Sequence, residues 1–177
     1  MEGQDRRNKL TGILEEAKEP VSGAELSKKL GVSRQVIVQD IALLRAVNKN
    51  IISTTKGYLI YKQDKRKVNR CFITKHTAEE IEDELNTIVD NGGKVLDVIV
   101  MHDLYGEISV DLILKNRKDV TDFIEKVRKK KTVPLMDLTN GTHLHTVEAD
   151  SEEVLDQIER ALKEKNYLVT TTSFGKE

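Results

Sequence analysis

Apolar residues recur at helical spacing through the first fifty positions and then switch to strand spacing. Leu10, Ile13, Leu14 and Ala17 fall on one helical stripe, and Pro20 closes that helix. Ser22 with Glu25 three residues later has the capping-box pattern and opens a short second helix carrying Leu26 and Leu30. Gly31 suits the left-handed position that ends it. Ser33 caps a third helix whose stripe is Ile37, Ile41 and Leu44. Residues 51–54 and 57–61 then read as two strands around a Lys56-Gly57 turn.

Past a polar, aperiodic run at 63–67, strand and helix patterns alternate. Residues 71–74 predict a short strand. Thr77 and Glu80 form a second capping box, and the helix they open runs to about Asn91, where Gly92-Gly93 stops it. The run VLDVIVM at 95–101 predicts a buried strand, and 108–114 another after a turn at Tyr105-Gly106. Residues 119–131 are helical. Residues 134–138 and 143–148 predict a hairpin around Asn140-Gly141. A helix over 152–165 and a strand over 167–171 complete the pattern. The fold class is α+β: a winged helix-turn-helix, then a domain with a mostly antiparallel sheet covered by helices. The boundaries are 1–62 for the head, 63–69 for a linker and 70–177 for the second domain.

The spacing of the second and third helices carries a function. A short helix, a tight Gly-Val-Ser turn and a longer helix make helix-turn-helix geometry. At about 100° per residue, the buried stripe turns Gln35, Gln39 and Ala42 outward, with Arg34 and Val38 on the flanks. Gln matches the paired donor and acceptor of adenine, Val the thymine methyl, and Arg a phosphate or guanine. Ser33, Arg34, Gln35, Val38 and Gln39 are therefore the candidate DNA-binding residues, with Lys56 at the tip of the wing. Asp40, on the flank of the buried face, reads as structural.

Charge agrees. Residues 1–62 hold 11 Lys and Arg against 7 Asp and Glu, whereas residues 63–177 hold 18 against 23. A basic head on an acidic body suits an anionic partner, here a double-stranded operator. With 38% hydrophobic and 33% charged residues the chain is neither disordered nor membrane-spanning. The N-terminus has no apolar run behind its charges, so it is not read as a signal peptide. The single cysteine, Cys71, fits a reducing cytoplasm.

All four histidines lie after the linker. His143 and His145 are two apart on a predicted strand, so they share a face about 7 Å apart. His76 precedes the capped helix, and Glu84 sits at the edge of that helix's Ile81, Leu85 and Ile88 stripe. A carboxylate aimed at a core needs a partner or a metal. Imidazoles plus one carboxylate suit zinc, nickel or iron better than calcium or magnesium. A His-x-His pair is also common without a metal, and the residues alone leave both readings open. A metal-dependent hydrolase is the competing class, yet no H-E-x-x-H, nucleophile elbow or P-loop is present. The reading is accordingly not an enzyme.

Residues 24–45, AELSKKLGVSRQVIVQDIALLR, resemble the helix-turn-helix domain shared by ligand-responsive repressors such as the biotin repressor. The stretches HTAEE at 76–80, HDLYGEI at 102–108 and PLMDLTNGTHLHTVEA at 134–149 are similar to the small-molecule-binding 3H domain, across residues 70–171. Together the two halves resemble niacin-responsive repressors of NAD biosynthesis and niacin uptake genes. That resemblance implies a divalent metal held by His76, Glu84, His143 and His145, with His102 and Tyr105 in the effector pocket. It implies nicotinic acid as co-repressor and a homodimer on DNA. A sensor of a different small ligand remains the alternative. Asp103 stands where the family often has proline.

Overall fold

The computed structural model describes residues 3–47, 50–62, 64–130 and 133–169. The chain divides into two units, residues 1–63 and 64–177.

In the first unit the helical stripes form as the apolar spacing dictates. Helix α1 (Gly3–Glu16), α2 (Gly23–Leu30) and α3 (Arg34–Ala46) bury Leu10, Leu14, Leu26, Leu30, Ile37, Ile41 and Leu44 around one core. Ser22 Oγ accepts the Glu25 N–H at 3.1 Å, and Ser33 Oγ accepts the Val36 N–H at 3.3 Å. Gly31 ends α2 at φ 65°, a left-handed conformation that glycine adopts without a Cβ penalty. Strands β1 (Ile51–Thr54) and β2 (Gly57–Ile60) pair antiparallel, so the turn falls at Thr55-Lys56, one residue earlier than the sequence suggested. Gly57 and Tyr58 press β2 onto the segment between α1 and α2, and Tyr58 exchanges backbone hydrogen bonds of 2.8 Å with Val21.

Asp40 is structural, as its position on α3 implied. It is 2% exposed and takes a two-pronged bond from Arg6, Nε at 2.6 Å and Nη2 at 3.1 Å. The pair ties α1 to α3. Asp40→Ala leaves the Arg6 fork without its carboxylate in a half-buried place. A drop of several degrees in the melting temperature of the head is expected, measured by calorimetry, with the second unit unchanged.

The second unit is a four-stranded antiparallel sheet in the order β3-β6-β4-β5, built from β3 (Val68–Lys75), β4 (Lys94–His102), β5 (Gly106–Leu114) and β6 (Thr142–Ala149). Helices α4 (Ile81–Asp90), α5 (Arg117–Lys130) and α6 (Glu152–Glu164) supply the apolar side chains that pack with one face of the sheet. Ile88, Val95, Val120, Val147, Leu155, Ile158 and Leu162 are fully buried there. Strand β3 begins at Val68, within the segment read as linker.

Two expectations need correction. Residues 134–138 are no strand: Leu135–Thr139 is a 3-10 helix with Asp137 N–H bonded to the Pro134 carbonyl at 3.0 Å. The Asn140-Gly141 pair does turn the chain, with φ of 53° and 85°, but it closes that helix instead of joining two strands. The last segment is not a full strand where described. Leu168 makes one bridge to Thr74, while the Tyr167 carbonyl and Val169 N–H bond to β3. Thr170 and Thr171 lie outside the described residues.

A buried histidine and glutamate cluster

Two separate pieces of chain build the site. Strand β3 leads to His76, and the Thr77/Glu80 capping box turns the chain into a 3-10 turn and then α4. Thr77 N–H bonds Glu80 Oε2 at 2.9 Å. Glu84 lies one turn into α4 and is wholly buried, further inside than the edge position its stripe suggested. The second piece is β6. Its register with β3 sets Thr74 opposite His143 and Phe72 opposite His145, so both imidazoles face α4.

The four side chains meet at one carboxylate oxygen. Glu84 Oε2 lies 2.6 Å from His76 Nε2, 3.3 Å from His143 Nε2 and 3.4 Å from His145 Nε2. The His76 and His143 rings sit edge to face with centroids 4.8 Å apart, and His143 and His145 at 4.9 Å. Every ring is anchored from behind on a main-chain carbonyl. His76 Nδ1 donates to Thr77 O at 2.8 Å, His143 Nδ1 to Gly141 O at 3.0 Å, and His145 Nδ1 to Asp97 O at 2.6 Å. A carbonyl only accepts, so each Nδ1 carries a proton, and Nε2 is the atom each ring turns toward Glu84, as a lone pair when the ring is neutral and as an N–H donor when it is charged.

Lone pairs aimed at a carboxylate repel unless a proton or a metal cation stands among them. Burial pulls the imidazolium of His76 and of His145 toward neutrality, but Glu84 outweighs it and raises both. Burial also pushes the Glu84 carboxyl up, yet the imidazoles hold it well below the usual carboxylate range. Glu84 Oε1 has no hydrogen-bond partner among the described residues. A buried oxygen left over, three fixed Nε2 atoms and a ligand set of His76, Glu84 and His143 within 4.8 Å fit a divalent transition metal.

On the head, Ser33 at the cap of α3 and Arg34, Gln35, Val38 and Gln39 along it are all exposed, while Lys56 in the wing turn is half-buried. Val38 is 54% exposed, a large share for an apolar side chain on a small domain.

A family model described as an HTH domain matches residues 6–59, and one described as a 3H domain matches residues 69–171. The probable transcription repressor NiaR of Thermotoga maritima is 46% identical over 166 residues, covering 94% of each chain. The transcription repressor NadR of Bacillus subtilis is 42% identical over 170 residues, again 94% of each. The chain belongs to the 3H-domain transcription repressors. It is a DNA-binding repressor and not the hydrolase weighed against that reading, since its relatives are named as repressors. No helix among the described residues is long and apolar enough to cross a membrane.

The 3H domain does not bring His102 and Tyr105 to the four-residue cluster. His102 ends β4, where its Nδ1 accepts the N–H groups of Leu104 at 3.2 Å and Tyr105 at 3.3 Å. The neutral ring therefore keeps its proton on Nε2, as a donor. His102 lines a cleft of about 670 Å³ together with Lys75, Met101, Leu138, Thr142 and Leu144. Tyr105 stacks on His102 with centroids 5.0 Å apart and is 73% exposed, outside the cleft lining. Leu144 alternates with His143 and His145 along β6, so the cleft opens on the other face of the sheet.

Three residues of the site escaped the sequence reading. Thr74 is fully buried, with Oγ1 3.1 Å from His143 Nε2. Tyr167 sets its ring edge against His76 and donates to Asp83 at 2.7 Å. Asp97 supplies the carbonyl behind His145. Only Asp97 left a trace, as the lone charge in the apolar run 95–101.

Proposed function

We propose that the chain represses genes of NAD biosynthesis and niacin uptake, as a homodimer on a two-half-site operator, with nicotinic acid as co-repressor. The observation that carries this is the convergence of His76, Glu84, His143 and His145, every ring fixed in one tautomer. The metal is zinc, nickel or iron, the ions such a donor set prefers. It would lock the β3–α4 piece to β6, two pieces more than 50 residues apart in the chain.

Nicotinic acid binds in the cleft that backs onto this site. Lys75 and Thr142 line it, and each directly precedes a ligand, His76 or His143. Lys75 and the His102 Nε2–H would meet the carboxylate, and Met101, Leu138 and Leu144 the ring. Effector in the cleft and metal behind it would thus act on the same two strands. The co-repressor favours the DNA-binding state only by binding that state better, and two heads engage half-sites roughly 34–36 Å apart.

A thermal-shift titration of metal-loaded and chelator-stripped protein tests the reading. Nicotinate should raise the melting temperature of loaded protein, while biotin and amino acids should not, and stripping should abolish the rise. The His102→Ala variant should lose the nicotinate response and keep the metal response. A nicotinate response that survives in His102→Ala but not after stripping would move the effector onto the metal. In a gel-shift titration nicotinate should tighten operator binding, and weaker binding would overturn the co-repressor role.

Gln35 and Gln39 read bases from α3, and Ser33, Arg34, Val38 and Lys56 support them. Gln39→Ala should weaken specific binding roughly 5- to 150-fold, the range of about 1–3 kcal/mol for a lost paired base contact. Binding to random DNA should hold. Lys56→Ala should weaken both alike and flatten the salt dependence.

A further inference from the structure

Strand β4 does not run evenly against its neighbours. Its pairing with β6 shifts by one residue between Val95, opposite Val147, and Ile99, opposite Leu144. Its pairing with β5 shifts between Val95 and Asp97. Asp97 stands inside the first break and at the edge of the second. A bulge of this kind leaves one residue out of the ladder and re-aims the backbone groups around it.

Both ends of Asp97 are used there. Its side-chain Oδ1 accepts the Thr146 N–H at 2.8 Å, taking the place of a ladder carbonyl. Its own carbonyl is left to accept His145 Nδ1–H at 2.6 Å. Thr146 directly follows His145, so one residue grips both the backbone and the imidazole at this point of β6. His76 and His143 are anchored differently, on carbonyls one and two residues away in their own chain segments. His145 alone depends on a carbonyl from another strand, 48 residues distant.

We infer that Asp97 is the positioning residue for His145: its carboxylate holds the bulge open, and the bulge presents the carbonyl that fixes the tautomer and aim of His145 Nε2. The inference rests on the metal site proposed above. Partners behind a ligating histidine typically govern 10- to 100-fold in metal affinity. The proposed agent is the hydrogen-bond geometry: the carbonyl touches His145, and the carboxylate touches Thr146.

The test compares the full-length wild type with Asp97→Ala and Asp97→Asn. Asparagine keeps an acceptor for Thr146 N–H and removes the charge. Two quantities are read: zinc affinity by chelator competition, and the His145 tautomer by long-range proton–nitrogen NMR of metal-free protein. Asp97→Ala should lose roughly 10- to 100-fold in zinc affinity and lose the Nδ1–H signature of His145 alone. Asp97→Asn should keep both. Wild-type affinity and an unchanged tautomer in Asp97→Ala would overturn the inference, as would an Asp97→Asn that falls as far as the alanine variant. Should Asp97→Ala not fold, Asp97→Ser, too short to span to Thr146 N, carries the same expectations. If wild type binds none of zinc, nickel and ferrous iron, the metal reading fails, and the NMR comparison still decides whether Asp97 sets His145.

Discussion

Glu84→Gln should abolish the metal-dependent stabilisation of the second unit while leaving the metal-free protein about as stable as wild type. The variant keeps the shape of the side chain, so no cavity opens in a place that is 0% exposed. It exchanges a carboxylate for an amide whose two N–H groups can donate to two of the three Nε2 atoms of His76, His143 and His145. Metal-free, the variant trades a buried charged contact for neutral hydrogen bonds, a change that is often close to neutral. Metal-loaded, it lacks the anion that the cation needs. A ligand that binds only the folded state adds about 2.7 kcal/mol at 100 times its dissociation constant and about 4.1 kcal/mol at 1,000 times. That increment should appear in wild type and be missing in Glu84→Gln, read by calorimetry with and without chelator. A cluster that is merely an ion pair predicts the reverse: no metal increment in wild type, and a destabilised metal-free variant.

The sequence carried much of this site, and physics says which parts. Local signals were legible because they act over one or two turns: the Ser22, Ser33 and Thr77 caps, the Gly31 stop and the period-two spacing of His143 and His145. The set His76, Glu84, His143 and His145 came from a resemblance together with those signals. Their convergence on a single oxygen needed the β3–β6 register, which no local pattern encodes. The 134–138 segment was misread because Leu135, Met136 and Leu138 fit a short strand as well as a 3-10 helix. Met136 is buried and Leu138 is 53% exposed, a split the helix sets. The bulge at Asp97 was invisible because an extra residue in one strand leaves alternation intact on either side. His102 was set apart from the other three histidines by the resemblance alone, and its strand carries it to a cleft on the other face of the sheet.

Gly141 shows how closely the two halves of the site are joined, and replacing it should damage both at once. Its φ of 85° is a conformation that residues with a Cβ rarely adopt, and a Cβ there would lie 2.5 Å from the His76 carbonyl oxygen. That neighbour is backbone, so no side-chain rotation relieves the clash. The same residue gives its own carbonyl to His143 Nδ1. Gly141→Ala must therefore push the His76 segment away or tilt His143 off its anchor. Strain at such a position costs about 1–3 kcal/mol, and the clash adds to it. The expected result is a lower melting temperature for the second unit, a weaker zinc affinity and a head that still binds non-specific DNA. Asn140→Gly supplies the control. Asn140 is also left-handed, at φ 53°, but glycine adopts that conformation freely, so stability should hold or rise and zinc affinity should not change. If Gly141→Ala lost stability yet kept wild-type zinc affinity, the turn would be a folding element only, and the two ligand segments would not depend on it for their alignment.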